Sequence, residues 1–94
     1  MKELDPLLHS QLRLAVVSLL MQVDEADFTY LREKTGATAG NLSVQLDKLA
    51  SAGYIDMMKL VSSSRPRTIC RMNPVGRQAF ARYVEALKSY LPGL

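Results

Sequence analysis

Amide and cationic side chains recur in the middle of the chain at spacings that suit contacts to a polyanion. Asn41 and Gln45 are four residues apart, so on a helix they share one face. Amides can form paired hydrogen bonds with an adenine edge. Lys48, one turn further along, suits a phosphate, and so do Arg65 and Arg67 on either side of a proline. These residues predict a nucleic-acid contact, and the alternative is that they are ordinary solvated side chains.

A helix over residues 39–51 must position the amides. Leucine at 42, 46 and 49 and alanine at 50 form one apolar stripe, Thr38 caps the start, and Gly53 follows the end. Gly36, before the cap, suits the positive φ with which a preceding helix ends. The face opposite the stripe is small and polar, which allows close approach to DNA: Ala39, Gly40, Asn41, Ser43, Val44, Gln45 and Lys48. On it Val44 suits a thymine methyl, and Thr38 with the first-turn N–H groups suits a phosphate.

The flanking segments predict a mainly α, α+β domain that spans residues 1–94. Ser10 is the expected cap of a first helix, Phe28 an extended core residue, and Thr29 the cap of a second helix. Asn73 is the expected cap of a last helix, with Pro74 in its first turn. Helices are expected at about 10–23, 30–35, 39–51 and 74–90, strands at 54–61 and 68–72, and a hairpin tip at 62–67. This order is a helix-turn-helix at about 29–52, a two-stranded wing at about 54–72 and a C-terminal helix.

The stretch from Gly36 to Ile55 resembles the recognition-helix signature of winged-helix regulators of the MarR/ArsR type. The Gly-Asn-Leu-Ser…Leu…Leu…Gly-Tyr-Ile spacing falls at residues 40–55, and residues 65–77 resemble the wing and the start of the final helix. Together with the first helix, the resemblance covers nearly the whole chain. It implies a winged helix-turn-helix fold and a transcriptional regulator, with repression by promoter occlusion as the expected mode. The recognition helix would enter the major groove of duplex DNA, and the wing would contact the backbone or minor groove.

A different function for the same fold is a protein-interaction module of a transcription complex, since fold does not fix function. Asp47 favours this alternative mildly, because phosphates repel a carboxylate on the recognition helix. The small, polar side chains on that face of the helix and the basic wing favour DNA binding.

A homodimer is expected because the two ends of the chain carry more large apolar side chains than a small domain needs. A two-fold pair would place two recognition helices about 34 Å apart, which is one turn of DNA. The expected interface residues are Leu4, Leu7, Leu8, Leu12, Tyr83, Leu87, Tyr90 and Leu91.

Charge and composition narrow the function classes further. Residues 1–37 carry four bases and six acids, whereas residues 38–72 carry five bases and two acids, within a net charge of +3. No apolar run reaches the roughly 20 residues of a membrane span. We expect no enzyme activity, since no catalytic set or phosphate-binding glycine loop is present. A small-molecule effector cannot be identified from the residues.

One cysteine and one histidine are too few for a metal site of thiolates and imidazoles, so no metal or cofactor is expected. Cys70 fits a reducing cytoplasm and is expected to be a buried strand residue, with a redox sensor as the alternative. His9 is expected to be an ordinary residue before the first helix, with a ligand or pH switch as the alternative.

Overall fold

Seven elements follow one another in the computed structural model, which describes residues 1–61 and 65–93. They are α1 (Gln11–Leu20), β1 (Ala26–Asp27), α2 (Phe28–Thr35), α3 (Ala39–Ser51), β2 (Ile55–Leu60), β3 (Arg67–Met72) and α4 (Pro74–Lys88). The predicted order of helix-turn-helix, hairpin and final helix is confirmed. Ser62, Ser63 and Ser64 of the predicted hairpin tip, together with Leu94, lie outside the described residues.

The core lies between the helices and one face of the sheet. Leu42, Leu46 and Leu49 of α3 are fully buried, as the leucine stripe predicted. They share a core cluster with side chains from every other element, among them Val16, Val17, Leu20, Leu31, Ile55 and Cys70. Burying one such aliphatic side chain contributes roughly 1.5–3 kcal/mol, so the stripe fixes the orientation of α3 about its own axis.

The turn between α2 and α3 is set by a glycine and a cap. Gly36 has φ 71°, in the left-handed region that glycine adopts without steric cost, and its N–H donates to the carbonyl of Arg32. Two residues later the Thr38 hydroxyl accepts a hydrogen bond from the Asn41 backbone N–H at 3.2 Å. Both roles were predicted from the sequence, and together they allow α3 to follow α2 with only three residues between them.

The sheet has three antiparallel strands in the order β1-β3-β2, whereas the sequence predicted two. The hairpin pairs Ile55 with Met72 at its base and Leu60 with Arg67 at its far end. On the other side of β3, Ala26 pairs with Cys70 and Asp27 with Ile69. Strand β1 therefore links the middle of β3 to the start of α2.

Several predicted boundaries are corrected. Helix α1 ends at Leu20, earlier than residue 23, and Ser10 occupies its N-cap position without a side-chain capping bond. Phe28 is the first residue of α2 and is not extended, because Asp27, held in β1, caps this helix in place of Thr29. The Asp27 carboxylate accepts from the Tyr30 backbone N–H at 2.8 Å. Helix α4 ends at Lys88, two residues short of the prediction, and Asn73 caps it as predicted.

The N-terminal segment lies along α4 and ties the two ends of the chain together. The Lys2 backbone N–H donates to the Ser89 hydroxyl at 2.9 Å, and the Tyr90 hydroxyl donates to the Lys2 carbonyl at 2.9 Å. Leu8 is fully buried and Tyr83 is 4% exposed, so both belong to the core of the chain itself. Their assignment to a dimer interface is therefore corrected, because they have almost no surface left to offer a partner.

Candidate nucleic-acid interface

The face of α3 opposite the buried leucines is solvent-exposed along its length. Val44 is 50% exposed and Lys48 lies exposed one turn later. A Cβ added at Gly40 would meet nothing within 4 Å, so the start of the helix presents open backbone. The sequence-predicted residues that the structure places on this face are Thr38, Ala39, Gly40, Asn41, Ser43, Val44 and Lys48. Asp47 is also exposed, beside Lys48 in the chain.

Gln45 differs from its neighbours because it is half-buried and its amide is engaged at both ends. Its Oε1 accepts a hydrogen bond from Arg13 Nη1, and its Nε2 donates to Asn41 Oδ1 at 3.0 Å. Arg13 in turn donates from Nε to the carbonyl of Leu7 at 2.6 Å. Gln45 therefore connects α1 to Asn41. The prediction that its side chain simply faces outward is wrong.

Arg13 is a site residue that sequence reasoning missed. It lies 32 positions before Gln45, so no local pattern connects the two residues. The available signal was a single arginine within the apolar run of α1, between Leu12 and Leu14. A long charged side chain in such a position needs a polar partner, and here that partner lies on α3.

The basic wing residues occupy two different settings. Arg65 is exposed next to the undescribed serines, as expected for a residue near the hairpin tip. Arg67 is not part of a flexible tip, because it is the first residue of β3 and its Nη2 lies 3.1 Å from Asp27 Oδ2. Its side chain remains 58% exposed, so the ion pair leaves part of the guanidinium accessible.

A second ion pair braces the same edge of the sheet. Arg71 Nη2 lies 2.9 Å from Glu25 Oε1, and both side chains are about half exposed. The hydrogen bond from the Tyr30 backbone, and after it the Arg67 guanidinium, hold the pKa of Asp27 below its ordinary value against the opposing effect of burial. Exposed pairs of this kind contribute about 0–1 kcal/mol each, so they add little to the stability of the sheet.

Cys70 and His9 are the remaining candidates for chemistry that the sequence raised. Cys70 is fully buried, and burial, assisted by the negative charge of Asp27, raises the pKa of its thiol to about 11. His9 Nδ1 and the Tyr83 hydroxyl are 3.0 Å apart, which links the segment before α1 to α4.

Among the residues that the structure describes, no group of three or more His, Cys, Asp or Glu is placed to hold a metal ion. Across residues 1–61 and 65–93, no helix is both long and apolar enough to cross a membrane.

Comparison with known proteins agrees with the fold. The family described as winged helix DNA-binding domain matches residues 12–91. An uncharacterized protein of Methanocaldococcus jannaschii is 36% identical over 76 residues, which are 81% of this chain and 83% of that protein. The structure of a transcriptional regulator homologue from Pyrococcus horikoshii OT3 superposes with a TM-score of 0.84 at 25% identity, covering 93% of this chain and 86% of the other.

A transcriptional regulator of the MarR family from Silicibacter pomeroyi shares the fold, with a TM-score of 0.68 at 20% identity. The match covers 94% of this chain but 61% of that regulator.

Proposed function

The chain belongs to the winged helix DNA-binding domain family, and on this premise we propose that it is a transcriptional regulator that binds duplex DNA sequence-specifically. The single observation that carries the proposal is the two-sided character of α3. Its leucines are fully buried on one side, while the other side is small, polar and exposed at a helix start. An α-helix with such a face fits the major groove, where base edges show a distinct pattern of donors and acceptors.

In this proposal the predicted site residues of α3 have distinct chemical roles. Asn41 contacts a base edge, and Val44 lies against a thymine methyl. Gln45, engaged by Arg13 and Asn41, supports the contact of Asn41. The small residues Ala39, Gly40 and Ser43 allow close approach of the backbone.

Backbone contacts are proposed for the remaining site residues. Thr38 and the first-turn N–H groups of α3 suit a phosphate at the helix N-terminus. Lys48 and Arg65 suit phosphates or the minor groove, and Arg67 contributes through the part of its guanidinium that Asp27 leaves exposed.

We further propose that the regulator acts as a homodimer and represses by occluding a promoter. Phe80, Val84 and Leu87 are partly exposed on one face of α4, with helical spacing. Tyr90 is 41% and Leu91 42% exposed beyond the end of this helix. Together with the half-buried Leu4, Leu7 and Leu12, they provide an apolar surface for a second copy.

Selection from a library of randomised duplexes tests the function and the pairing together. We expect wild-type protein to enrich a motif of two half-sites about 10–10.5 base pairs apart. Asn41→Ala should flatten the preference at one position in each half-site, because it removes an amide that contributes about 1–3 kcal/mol of discrimination. Gln78→Ala removes an exposed amide from α4 and serves as the matched control.

Three outcomes would count against these claims. Enrichment of one isolated half-site would overturn the dimer. An unchanged motif with Asn41→Ala would remove the role of Asn41. If wild-type protein enriches no sequence, sequence-specific DNA binding fails, and a protein-interaction module, which the exposed Asp47 favours, becomes the better account.

A further inference from the structure

A chain of three polar side chains leads from α1 to the exposed face of α3. Arg13 Nη1 donates to Gln45 Oε1, and Gln45 Nε2 donates to Asn41 Oδ1 at 3.0 Å. Arg13 is half-buried and is fixed at its other edge by the Leu7 carbonyl, 2.6 Å from its Nε. Arg13, the first of these three side chains, is therefore held in place by the backbone before α1.

The direction of this chain is set by the chemistry of arginine. A guanidinium has five N–H donors and no acceptor, whereas an amide has a donor end and an acceptor end. Beside Arg13, the Gln45 amide must turn its oxygen toward the guanidinium, which leaves its NH₂ group toward Asn41. The same argument then orients Asn41, whose oxygen must face Gln45 and whose NH₂ group lies on the side away from it.

We propose that Arg13 is a positioning residue that sets which end of the Asn41 amide is presented to a base, and thereby sets base preference. This inference rests on the proposed DNA-binding function. With its NH₂ group outward, Asn41 favours an acceptor edge such as the N7 and O6 of guanine or the N7 of adenine. Cytosine, which presents the N4 donor in the major groove, is disfavoured at that position.

A positioning role for Arg13 differs measurably from a role that only stabilises the packing of α1 on α3. Loss of packing alone would weaken binding to all sequences equally. Loss of orientation would change which base is preferred and would leave binding to unrelated sequences nearly intact, since Arg13 itself faces Leu7 and Gln45.

Two variants break different hydrogen bonds between these three side chains. Arg13→Met removes the guanidinium while retaining a long side chain, so both amides become free to turn over. Gln45→Glu keeps an acceptor for Arg13 but has no donor for Asn41, so the Asn41 amide must turn its NH₂ group toward the carboxylate and its oxygen outward. Arg82→Met, at an exposed position on α4, is the matched control.

The test is enrichment from randomised duplexes, at the position where Asn41→Ala removes the preference of wild-type protein. We expect wild-type protein to favour guanine over cytosine there by about fivefold or more, the lower end of the discrimination that a good contact to a base edge gives. Arg13→Met should bring this ratio close to one, Gln45→Glu should reverse it, and Arg82→Met should leave it unchanged. Thermal unfolding of each variant identifies any that fails to fold, and Gln45→Glu decides the question if Arg13→Met does not.

The outcomes distinguish this inference from the proposed function. If wild-type protein enriches a motif and Gln45→Glu leaves the guanine-to-cytosine ratio unchanged, Arg13 does not act through this chain and the inference is overturned. If wild-type protein enriches no motif, the proposed function itself fails. A uniform loss of affinity with the same preferred bases in both variants would assign Arg13 a packing role only.

Discussion

Cys70 illustrates how position decides the chemistry of a single residue. It lies fully buried in the central strand of the sheet, between Ala26 on one side and Met57 on the other. Burial and the nearby charge of Asp27 raise the pKa of its thiol to about 11, so the thiol stays protonated near neutral pH. Since the thiolate is the reactive form, Cys70 acts as a core residue, which agrees with the structural interpretation of the sequence.

This pKa predicts a loss of stability at alkaline pH. In the unfolded chain the thiol ionises near its ordinary value of 9.0, whereas in the folded chain it ionises near 11. Between these two values the unfolded state has released the proton and the folded state has not, so the free energy of unfolding falls by up to about 1.4 kcal/mol per pH unit. Below about pH 9 this contribution is fully present.

Urea unfolding between about pH 8 and 11 measures this effect against Cys70→Ala. Tyrosine and lysine groups titrate in both proteins, so the difference between the two pH profiles isolates the thiol. Parallel profiles would contradict the assignment of a raised pKa to Cys70.

At the scale of residues, the exposed face of α3 could be predicted because each position follows from helical spacing relative to the leucines. The role of Arg13 could not, because it depends on a contact between two helices that the spacing within either one does not determine. The predicted place of Arg67 in the hairpin tip is wrong for a similar reason, since its partner Asp27 lies 40 positions earlier in the chain.

At the scale of elements, the first turn of α4 packs closely, through a buried glycine, against the backbone just before β2 and against β3. Gly76 is buried, and its N–H donates to the cap residue Asn73 at 2.8 Å. A Cβ added at Gly76 would lie 2.1 Å from the carbonyl oxygen of Tyr54 and 2.7 Å from Cε of Met72. The Met72 side chain can move, but the Tyr54 backbone is fixed by the turn that leads into β2.

We therefore expect Gly76→Ala to lower the free energy of unfolding by about 3 kcal/mol, at the upper end of ordinary overpacking effects. Gly40→Ala is the matched control, because its added Cβ would meet nothing within 4 Å in the first turn of α3. That change should be neutral or stabilising by up to about 1 kcal/mol. Equal effects in the two variants, measured by chemical denaturation, would contradict the close packing of α4 on the sheet.

Elements differ in how far local sequence determines them. Helix α3 has the predicted bounds because its cap, leucine stripe and following glycine all agree. The start of α2 was wrong because Asp27 and Thr29 are both suitable caps, and the choice depends on the pairing of Asp27 with Ile69. Strand β1 was missed because two residues are too few to show an alternating pattern.

At the scale of the whole molecule, some apolar residues that the sequence predicted in a dimer interface are buried within the chain itself. Leu8 and Tyr83 complete the core, whereas Tyr90 and Leu91 remain substantially exposed. A count of large apolar side chains cannot separate these two groups, because the path of the N-terminal segment along α4 decides which residues are covered. The dimer remains a proposal that rests on the exposed group.

The distribution of charge gives the whole molecule a further testable property. Lys48 and Arg65 are exposed without an ion pair among the described residues, whereas Arg67 is paired with Asp27. Phosphate contacts release counterions, so each one adds about 0.9 to the slope of log affinity against log salt. Arg65 should therefore contribute more to this slope than Arg67.

The most direct test of DNA binding is the affinity for a duplex of random sequence across a salt series. We predict that wild-type affinity falls steeply with salt, that Arg65→Ala lowers the slope by about one, and that Arg67→Ala lowers it by less. Arg82→Ala, on α4, should match wild-type protein. An absence of binding by wild-type protein even at about 50 mM salt, where phosphate contacts are strong, would contradict the account.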